Sequence, residues 1–305
     1  MPEGPEVRRI TDHLENHTKD ALLVSIDGID SRYSLGGSQF RGAAQNLLTS
    51  LAKKPLPIRV NCKGKFIYWI VDQDDNPFVI FQTLGMSGGW RTRKPSKHHR
   101  LTFVLQQPNG TKSIHYKDAR CFGTFIIHEG EVGLEALDKK LDKELGPDLL
   151  EGLPSFGSDE RYDAIQIFRK KNKHNITKVL MNQKVFAGIG NYLKAEILHE
   201  CKLSPRCKIE HLTDDDLWNL YTVARWHICA AYAAKGASFR DYKMPDGSLG
   251  TKQYKFKVYR RKVCSCGTRV TREKTPDKRT TWWCENCQIH PILPCNQLIQ
   301  TTLKD

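Results

Sequence analysis

The groups best suited to chemistry stand in the first nine residues, Met1-Pro2-Glu3-Gly4-Pro5-Glu6-Val7-Arg8-Arg9. With Met1 removed, Pro2 becomes a secondary amine at the terminus. An α-amine titrates near pH ~7.7–8.0, against ~10.4 for a lysine, so an appreciable fraction is neutral and nucleophilic at physiological pH. Glu3 and Glu6 supply a proton donor and a negative field within a few residues of that amine. A purely structural reading of the same stretch is a frayed leader ahead of a capped helix.

A second cluster of reactive side chains lies near the other end. Of the ten cysteines, Cys264, Cys266, Cys284 and Cys287 crowd together, while Cys62, Cys121, Cys201, Cys207, Cys229 and Cys295 are scattered without paired spacing. That distribution points to one metal site plus free thiols in a reducing compartment, not to a disulfide framework. Cys284-Glu285-Asn286-Cys287 has the regular knuckle gap, and 17 residues separate Cys266 from Cys284, within the range of a zinc ribbon. Cys264-Ser265-Cys266 is one residue short of that gap, so His290 or Cys295 could replace Cys266. Four protein ligands leave no open position for water, which makes the expected Zn2+ structural.

The elements that must position these groups follow from periodicity. Val7, Ile10 and Leu14 fall at helical spacing behind Pro5, so a helix starting near Pro5 would hold the amine at its mouth, with Glu6 suited to the helix dipole. Residues 20 to 130 read mainly as strands. Two apolar runs between Ile58 and Val71 join at Lys63-Gly64, with Lys65 starting the second strand, where a lysine is usually just solvated. Asn109-Gly110 between Leu101–Leu105 and Ser113–Tyr116 carries the signal for a type I′ hairpin. Residues 131 to 160 are acidic and loop-like. From Arg161 to Ala234 the period is helical, and Gly188, Gly190 and Asn191 stand just before an apolar helix, where freed backbone amides can bind a phosphate with Asn191 as cap.

These readings give an α+β fold in two domains: an N-terminal β-sandwich with flanking helices, and a C-terminal helical domain with a zinc ribbon. The expected boundaries are 1–145 for the sandwich, 146–160 for a hinge, 161–250 for the helical domain, 251–290 for the ribbon and 291–305 for a tail. Lys plus Arg exceeds Asp plus Glu by 48 − 34 = +14. Residues 251–288 alone hold 11 Lys/Arg against 3 Asp/Glu, a local +8. Such an excess implies a polyanionic partner, nucleic acid rather than a membrane surface, since no long apolar segment or basic amphipathic anchor is visible. Without a signal peptide, the expected setting is intracellular, nuclear or cytoplasmic.

Met1-Pro2-Glu3-Gly4-Pro5-Glu6-Val7 resembles the opening of the formamidopyrimidine-DNA glycosylase and endonuclease VIII family, and further resemblances occur in family order across residues 1 to 288. The resemblance implies that Pro2 is the nucleophile, with Glu3 and Glu6 beside it. Lys63-Gly64-Lys65-Phe66 is similar to the family step whose lysine, here Lys65, contacts DNA phosphate and assists catalysis. Leu84-Gly85-Met86-Ser87-Gly88 resembles the loop whose methionine, Met86, fills the hole left by a flipped nucleotide. Lys117-Asp118-Ala119-Arg120-Cys121-Phe122-Gly123 resembles a second wedge loop, with Arg120 facing the orphaned base and Phe122 intercalating; Cys121 stands where the family commonly has arginine. The run from Asn182 to Glu196 resembles a helix-two-turn-helix in which Gly190 and Asn191 bind DNA and Glu196 braces the turn. Arg279 stands at the zinc-finger arginine position, and Trp282-Trp283-Cys284 with Gln288 is most similar to the zinc-bearing Nei-like glycosylases of animals.

The implied activity is that of a bifunctional DNA glycosylase and AP lyase of base-excision repair, acting on damaged DNA as a monomer through a proline Schiff base with β,δ-elimination. Asn191-Tyr192-Leu193 and Trp282-Trp283 favour oxidised pyrimidines. The Leu84–Gly88 loop and Arg240-Asp241-Tyr242 favour oxidised purines instead, and a zinc-ribbon DNA-binding protein without catalysis is the reading from a different class.

Overall fold

The computed structural model describes residues 2–153, 159–237, 244–248 and 254–290. Arg240-Asp241-Tyr242, Cys295, the tail 291–305 and part of the expected hinge lie outside the described residues. The chain forms two compact units, residues 1–148 with 230–254, and residues 149–229 with 255–305. The return of 230–254 to the first unit is not contained in a division into consecutive stretches.

In the first unit, helix α1 (Gly4–Thr18) has a proline in its first turn and buries Val7, Ile10 and Leu14. The strands are β1 (Leu22–Gly28), β2 (Phe40–Gly42), β3 (Leu56–Lys63), β4 (Phe66–Val71), β5 (Phe78–Thr83), β6 (Gly88–Arg91), β7 (His99–Gln107), β8 (Gly110–Asp118) and β9 (Thr124–Glu129), with α2 (Ala44–Lys53) between β2 and β3. Their order is β2-β9-β5-β4-β3-β1-β7-β8-β6, antiparallel except for β2 beside β9. Only Leu22↔Pro57 and Leu23↔Leu56 link β1 to β3, so the sheet folds there into two halves. Trp69 of one half lies 5.2 Å from both Trp90 and Phe103 of the other. These rings meet edge-on, the arrangement aromatic quadrupoles favour. The buried Gln82 carboxamide oxygen accepts both indole N–H groups, at 2.8 Å from Trp69 and 3.2 Å from Trp90. The two expected layers are therefore present.

Three local expectations are corrected. The β7–β8 hairpin forms, but Gln107 pairs with Gly110, so its two-residue loop is Pro108-Asn109 and not Asn109-Gly110. Proline locks φ near −65°, and a type I′ turn needs positive φ at both central residues. Residues 130–144 are helical, as α3 (Gly130–Lys139) followed by a π-helical turn (Lys140–Glu144). The acidic composition hid an apolar stripe, Leu134, Leu137, Leu141 and Leu145, that packs on Phe66 and Val79. Lys65 precedes β4 and sits in the turn, not on the strand.

The second unit contains α4 (Glu160–Arg169), α5 (Ile176–Met181), α6 (Asn191–Glu200), α7 (Asp214–Ala233) and the hairpin β10 (Thr271–Lys274) with β11 (Thr280–Trp283). Phe168, Phe186 and Tyr221 form its aromatic centre, with Phe186 5.2 Å from Phe168 and 5.8 Å from Tyr221. Glu196 does not brace the turn before α6 as expected. Its buried carboxylate accepts the backbone N–H groups of Lys257, Val258 and Tyr259, at 2.7, 3.1 and 2.7 Å, fixing the segment that leads to the ribbon. Among the described residues no helix is long and apolar enough to cross a membrane.

His227 on α7 is buried, and desolvation, with smaller contributions from Lys257 and His199, pulls its imidazole from 6.5 down to about 4. A group depressed on folding contributes stability that is complete above its unfolded value and lost as pH falls toward the folded one. The unit's stability should therefore fall between pH 6.5 and about 4. In urea melts at a series of pH values, His227→Leu should show a shallower decline over that window than the unaltered chain.

Candidate active site and nucleic-acid interface

The start of α1 is a reciprocal capping box. The Glu3 side chain accepts the Glu6 backbone N–H, and Glu3 N donates to Glu6 Oε2 at 2.9 Å. The second Glu6 oxygen, Oε1, accepts Ala237 N at 2.7 Å. Pro2, Glu3 and Glu6 are all buried. Both of these Glu6 bonds are to backbone N–H groups, at Glu3 on one side and Ala237 on the other. Glu3 is the carboxyl of the pair that directly follows Pro2.

Helix α1 packs on β3, and Arg8 Nη1 donates to Asn61 Oδ1 at 3.1 Å. The strand ends in the two-residue turn Gly64-Lys65, closed by the Lys63↔Phe66 pair. Gly64 has φ +59°, the left-handed conformation that suits glycine at the first central position of such a turn. Gly64 N donates to Asp148 Oδ2 at 2.6 Å, a bond spanning 84 residues. Asp148 thus fixes the turn that presents Lys65, and nothing in the local sequence marks it for that role.

Met86 and Phe122 are exposed apolar side chains on two neighbouring loops. Arg120 joins them, its Nη1 lying 3.4 Å from Met86 Sδ. The loops approach closely at Gly85, whose φ is +60°; a Cβ there would lie 2.7 Å from the Phe122 carbonyl carbon. Beneath both loops is Asp118, fully buried. Its Oδ1 accepts Ser87 Oγ at 2.5 Å and Arg120 N at 3.1 Å, and its Oδ2 accepts Gly123 N at 2.8 Å. Tyr33 Oη lies 3.0 Å from Asp118 Oδ2 and from the Gly123 carbonyl oxygen. Burial and the neighbouring Asp118 carboxylate push that phenol's pKa up, so it remains a donor. One carboxylate therefore ties both loops together. Cys121 is buried under the second loop with φ +54°.

In the second unit, Gln183 shapes the turn before α6. Its Nε2 donates to the Met181 and Ile189 carbonyls, at 3.1 and 3.0 Å, and its Oε1 accepts Gly188 N at 3.1 Å. Gly190, extended at φ −125°, is the N-cap, and Asn191 is the first helical residue, one position past the expected cap. The Asn191 amide is used elsewhere: Nδ2 donates to the Thr280 carbonyl at 2.9 Å, while its buried Oδ1 has no hydrogen-bond partner among the described residues. Arg279, exposed, stands beside Thr280 at the end of the ribbon loop.

Cys264, Cys266, Cys284 and Cys287 present sulfurs that all lie within 4.8 Å of one another. Cys264 and Cys287 are 3.9 Å apart, and Cys266 and Cys284 3.5 Å. Tetrahedral bonds of about 2.3 Å place sulfurs roughly 3.8 Å apart, so the donor set fits a four-thiolate metal centre. The one-residue gap in Cys264-Ser265-Cys266 turns both sulfurs inward after all. His290 is engaged elsewhere, its Nε2 lying 3.0 Å from Asp216 Oδ1.

Comparison with known proteins adds to this geometry. Residues 1–125 match the formamidopyrimidine-DNA glycosylase N-terminal domain. The formamidopyrimidine-DNA glycosylase of Bartonella tribocorum is 31% identical over 313 residues, covering 94% of this chain and all of that protein. That of Zymomonas mobilis is 32% identical over 223 residues, covering 72% of this chain and 78% of the relative. Among solved structures, a variant Lactococcus lactis enzyme in complex with DNA containing Fapy-dG superposes with TM-score 0.75 at 25% identity, covering 94% of this chain and 99% of that one. The wild-type Lactococcus lactis enzyme with DNA containing an oxidised pyrimidine gives TM-score 0.74 at 25% identity and the same coverage.

Replacing Asp118 by alanine would leave the N–H groups of Gly123 and Arg120 without their carboxylate and loosen both loops. The expected loss of stability is on the order of 3 kcal/mol by denaturant titration, since hydrogen bonds to a buried charge are the costly ones to break. Asp118→Asn, which keeps the acceptor oxygen, should lose less.

Proposed function

The chain belongs to the formamidopyrimidine-DNA glycosylase family, and from that premise we propose that Pro2 is its nucleophile and that formamidopyrimidines and oxidised purines are its first substrates. It is a DNA glycosylase and AP lyase of base-excision repair. The observation that carries the reading is the buried Glu3–Glu6 capping box immediately behind Pro2, which orients one carboxyl group at the helix mouth.

In this mechanism the neutral Pro2 nitrogen bonds to C1′ of a flipped nucleotide while Glu3 protonates the sugar ring oxygen. The C1′–base bond breaks, the base leaving with the proton shed by the amine, the protonated ring oxygen departs from C1′ as the 4′ hydroxyl, and an iminium joins Pro2 to the opened sugar. Proton abstraction then expels the 3′ phosphate and next the 5′ phosphate, and hydrolysis of the iminium frees the amine. Lys65, Asn191, Gly190 and Arg279 hold phosphates; Met86, Arg120 and Phe122 occupy the vacated stack. The residue ranges read from the sequence are kept as the domain reading, with a sandwich carrying the chemistry and a helical part and ribbon carrying the DNA grip. The four cysteines would hold one Zn2+, which supplies structure and no reactive position. The enzyme acts as a monomer on damaged DNA in the nucleus or cytoplasm.

The substrate order reverses the one drawn from Asn191-Tyr192-Leu193 and Trp282-Trp283. Relatives named for formamidopyrimidine support it across nearly the whole chain. Oxidised pyrimidines remain the second reading, supported by those same residues and by the related complex that contains such a base.

Cleavage of duplexes carrying 8-oxoguanine, a formamidopyrimidine or thymine glycol tests the order: faster excision of the first two is expected, and faster excision of thymine glycol would reverse it. Glu3→Gln should slow base excision about 10²- to 10⁴-fold, the usual contribution of a general acid. No excision of any of the three by the unaltered protein would leave only a DNA-binding role. For the metal, native mass spectrometry should find one zinc per chain, lost in Cys266→Ser and retained in His290→Ala.

A further inference from the structure

A lysine in the first turn of a DNA-facing helix ordinarily reads as one more phosphate contact. Lys194 is not available for that. Its side chain is 0% exposed, and Nζ pairs at 2.5 Å with Asp277 Oδ2, whose side chain is 3% exposed. Burying two charges costs several kcal/mol per ion before their attraction is counted, so such a pair is poor evidence of stabilisation and better evidence of a fixed geometry.

What it fixes is the ribbon loop. Asp277 Oδ1 accepts the Thr275 hydroxyl at 2.5 Å and faces Arg279 N at 3.4 Å, while Thr275 N donates to the Arg279 carbonyl at 3.0 Å. Lys278 completes the loop at φ +62°, with its N–H on the Thr275 carbonyl at 2.8 Å. One turn earlier on α6, Asn191 Nδ2 holds the Thr280 carbonyl. Residues i and i+3 of a helix share a face. The helix therefore grips the ribbon at two points, Asp277 and Thr280, on either side of Arg279.

We propose that the Lys194–Asp277 pair is a positioning device that sets the separation between the two phosphate grips, the Gly190-Asn191 turn and Arg279. The proposal rests on the reading of Asn191 and Arg279 as DNA contacts. Neither Lys194 nor Asp277 touches DNA. They hold Arg279 at the spacing that one bent strand presents, so that both grips engage together without first ordering a loop.

The test is a double-mutant cycle on zinc-loaded full-length protein, binding a duplex with a tetrahydrofuran abasic analogue over a salt series. Arg279→Ala defines that contact: weaker binding, and a log K against log salt slope shallower by about one. Lys194→Met and Asp277→Asn should each weaken binding about tenfold with the same change of slope, and adding Arg279→Ala to either should cost little more, because coupled residues are not additive. Lys194→Met combined with Asp277→Leu supplies an apolar pair that should recover thermal stability and zinc content but not the slope. Full additivity with Arg279→Ala, or recovery of binding along with stability in the apolar pair, would overturn the proposal. If Arg279→Ala alone leaves affinity and slope unchanged, the phosphate reading itself falls and the positioning role falls with it, a result distinct from additivity.

Discussion

Two carboxyl groups are kept side by side out of water at the start of α1, and the arrangement of the first residues depends on how this is done. Glu3 and Glu6 exchange bonds with each other's backbone, and Glu6 takes a further amide from Ala237, more than two hundred residues away. Charge-assisted bonds of this kind are stronger than neutral ones and offset the loss of hydration. The helix dipole adds to them, since its N-terminus favours negative charge. The N-cap Glu3 is thereby held in one place, and the residue directly before it is Pro2.

Buried carboxylates that accept backbone N–H groups recur elsewhere in the chain. Asp118 takes the Ser87 hydroxyl of one loop and the Arg120 and Gly123 N–H groups of the other, Asp148 takes the amide of the turn that carries Lys65, and Glu196 takes three amides ahead of the ribbon. Each of these carboxylates is buried and acts on backbone, so each orders a loop without occupying the surface that DNA would cover. The formal net charge of +14 keeps the long-range field attractive to a polyanion.

Much of this was legible in the sequence where the signal is local. Pro2, Glu3 and the helix behind them, the Met86 and Phe122 loops, the β7–β8 hairpin and the four-cysteine set are short motifs whose spacing carries their geometry. The supports were not legible, because their partners are distant: Asp118 meets Tyr33 across 85 residues, and Asp148 meets Gly64 across 84. Composition misled where it was read without period, as at α3, whose leucine stripe lies among acidic residues. At the β7–β8 turn Pro108 precedes the Asn109-Gly110 pair and excludes the turn type that pair signals. Glu196 was assigned to the nearest loop in the chain and serves one sixty residues away.

The central claim is that the Pro2 nitrogen forms a covalent bond to C1′ of the damaged nucleotide. Borohydride trapping on a duplex with an abasic site, with the N-terminus of the protein checked by mass spectrometry, tests it most directly. The account predicts a reduced adduct that maps to Pro2 by peptide sequencing and disappears in Pro2→Gly and in protein that retains Met1. An adduct that maps to a lysine and survives both changes, or no adduct from correctly processed protein that still binds the duplex, would contradict it.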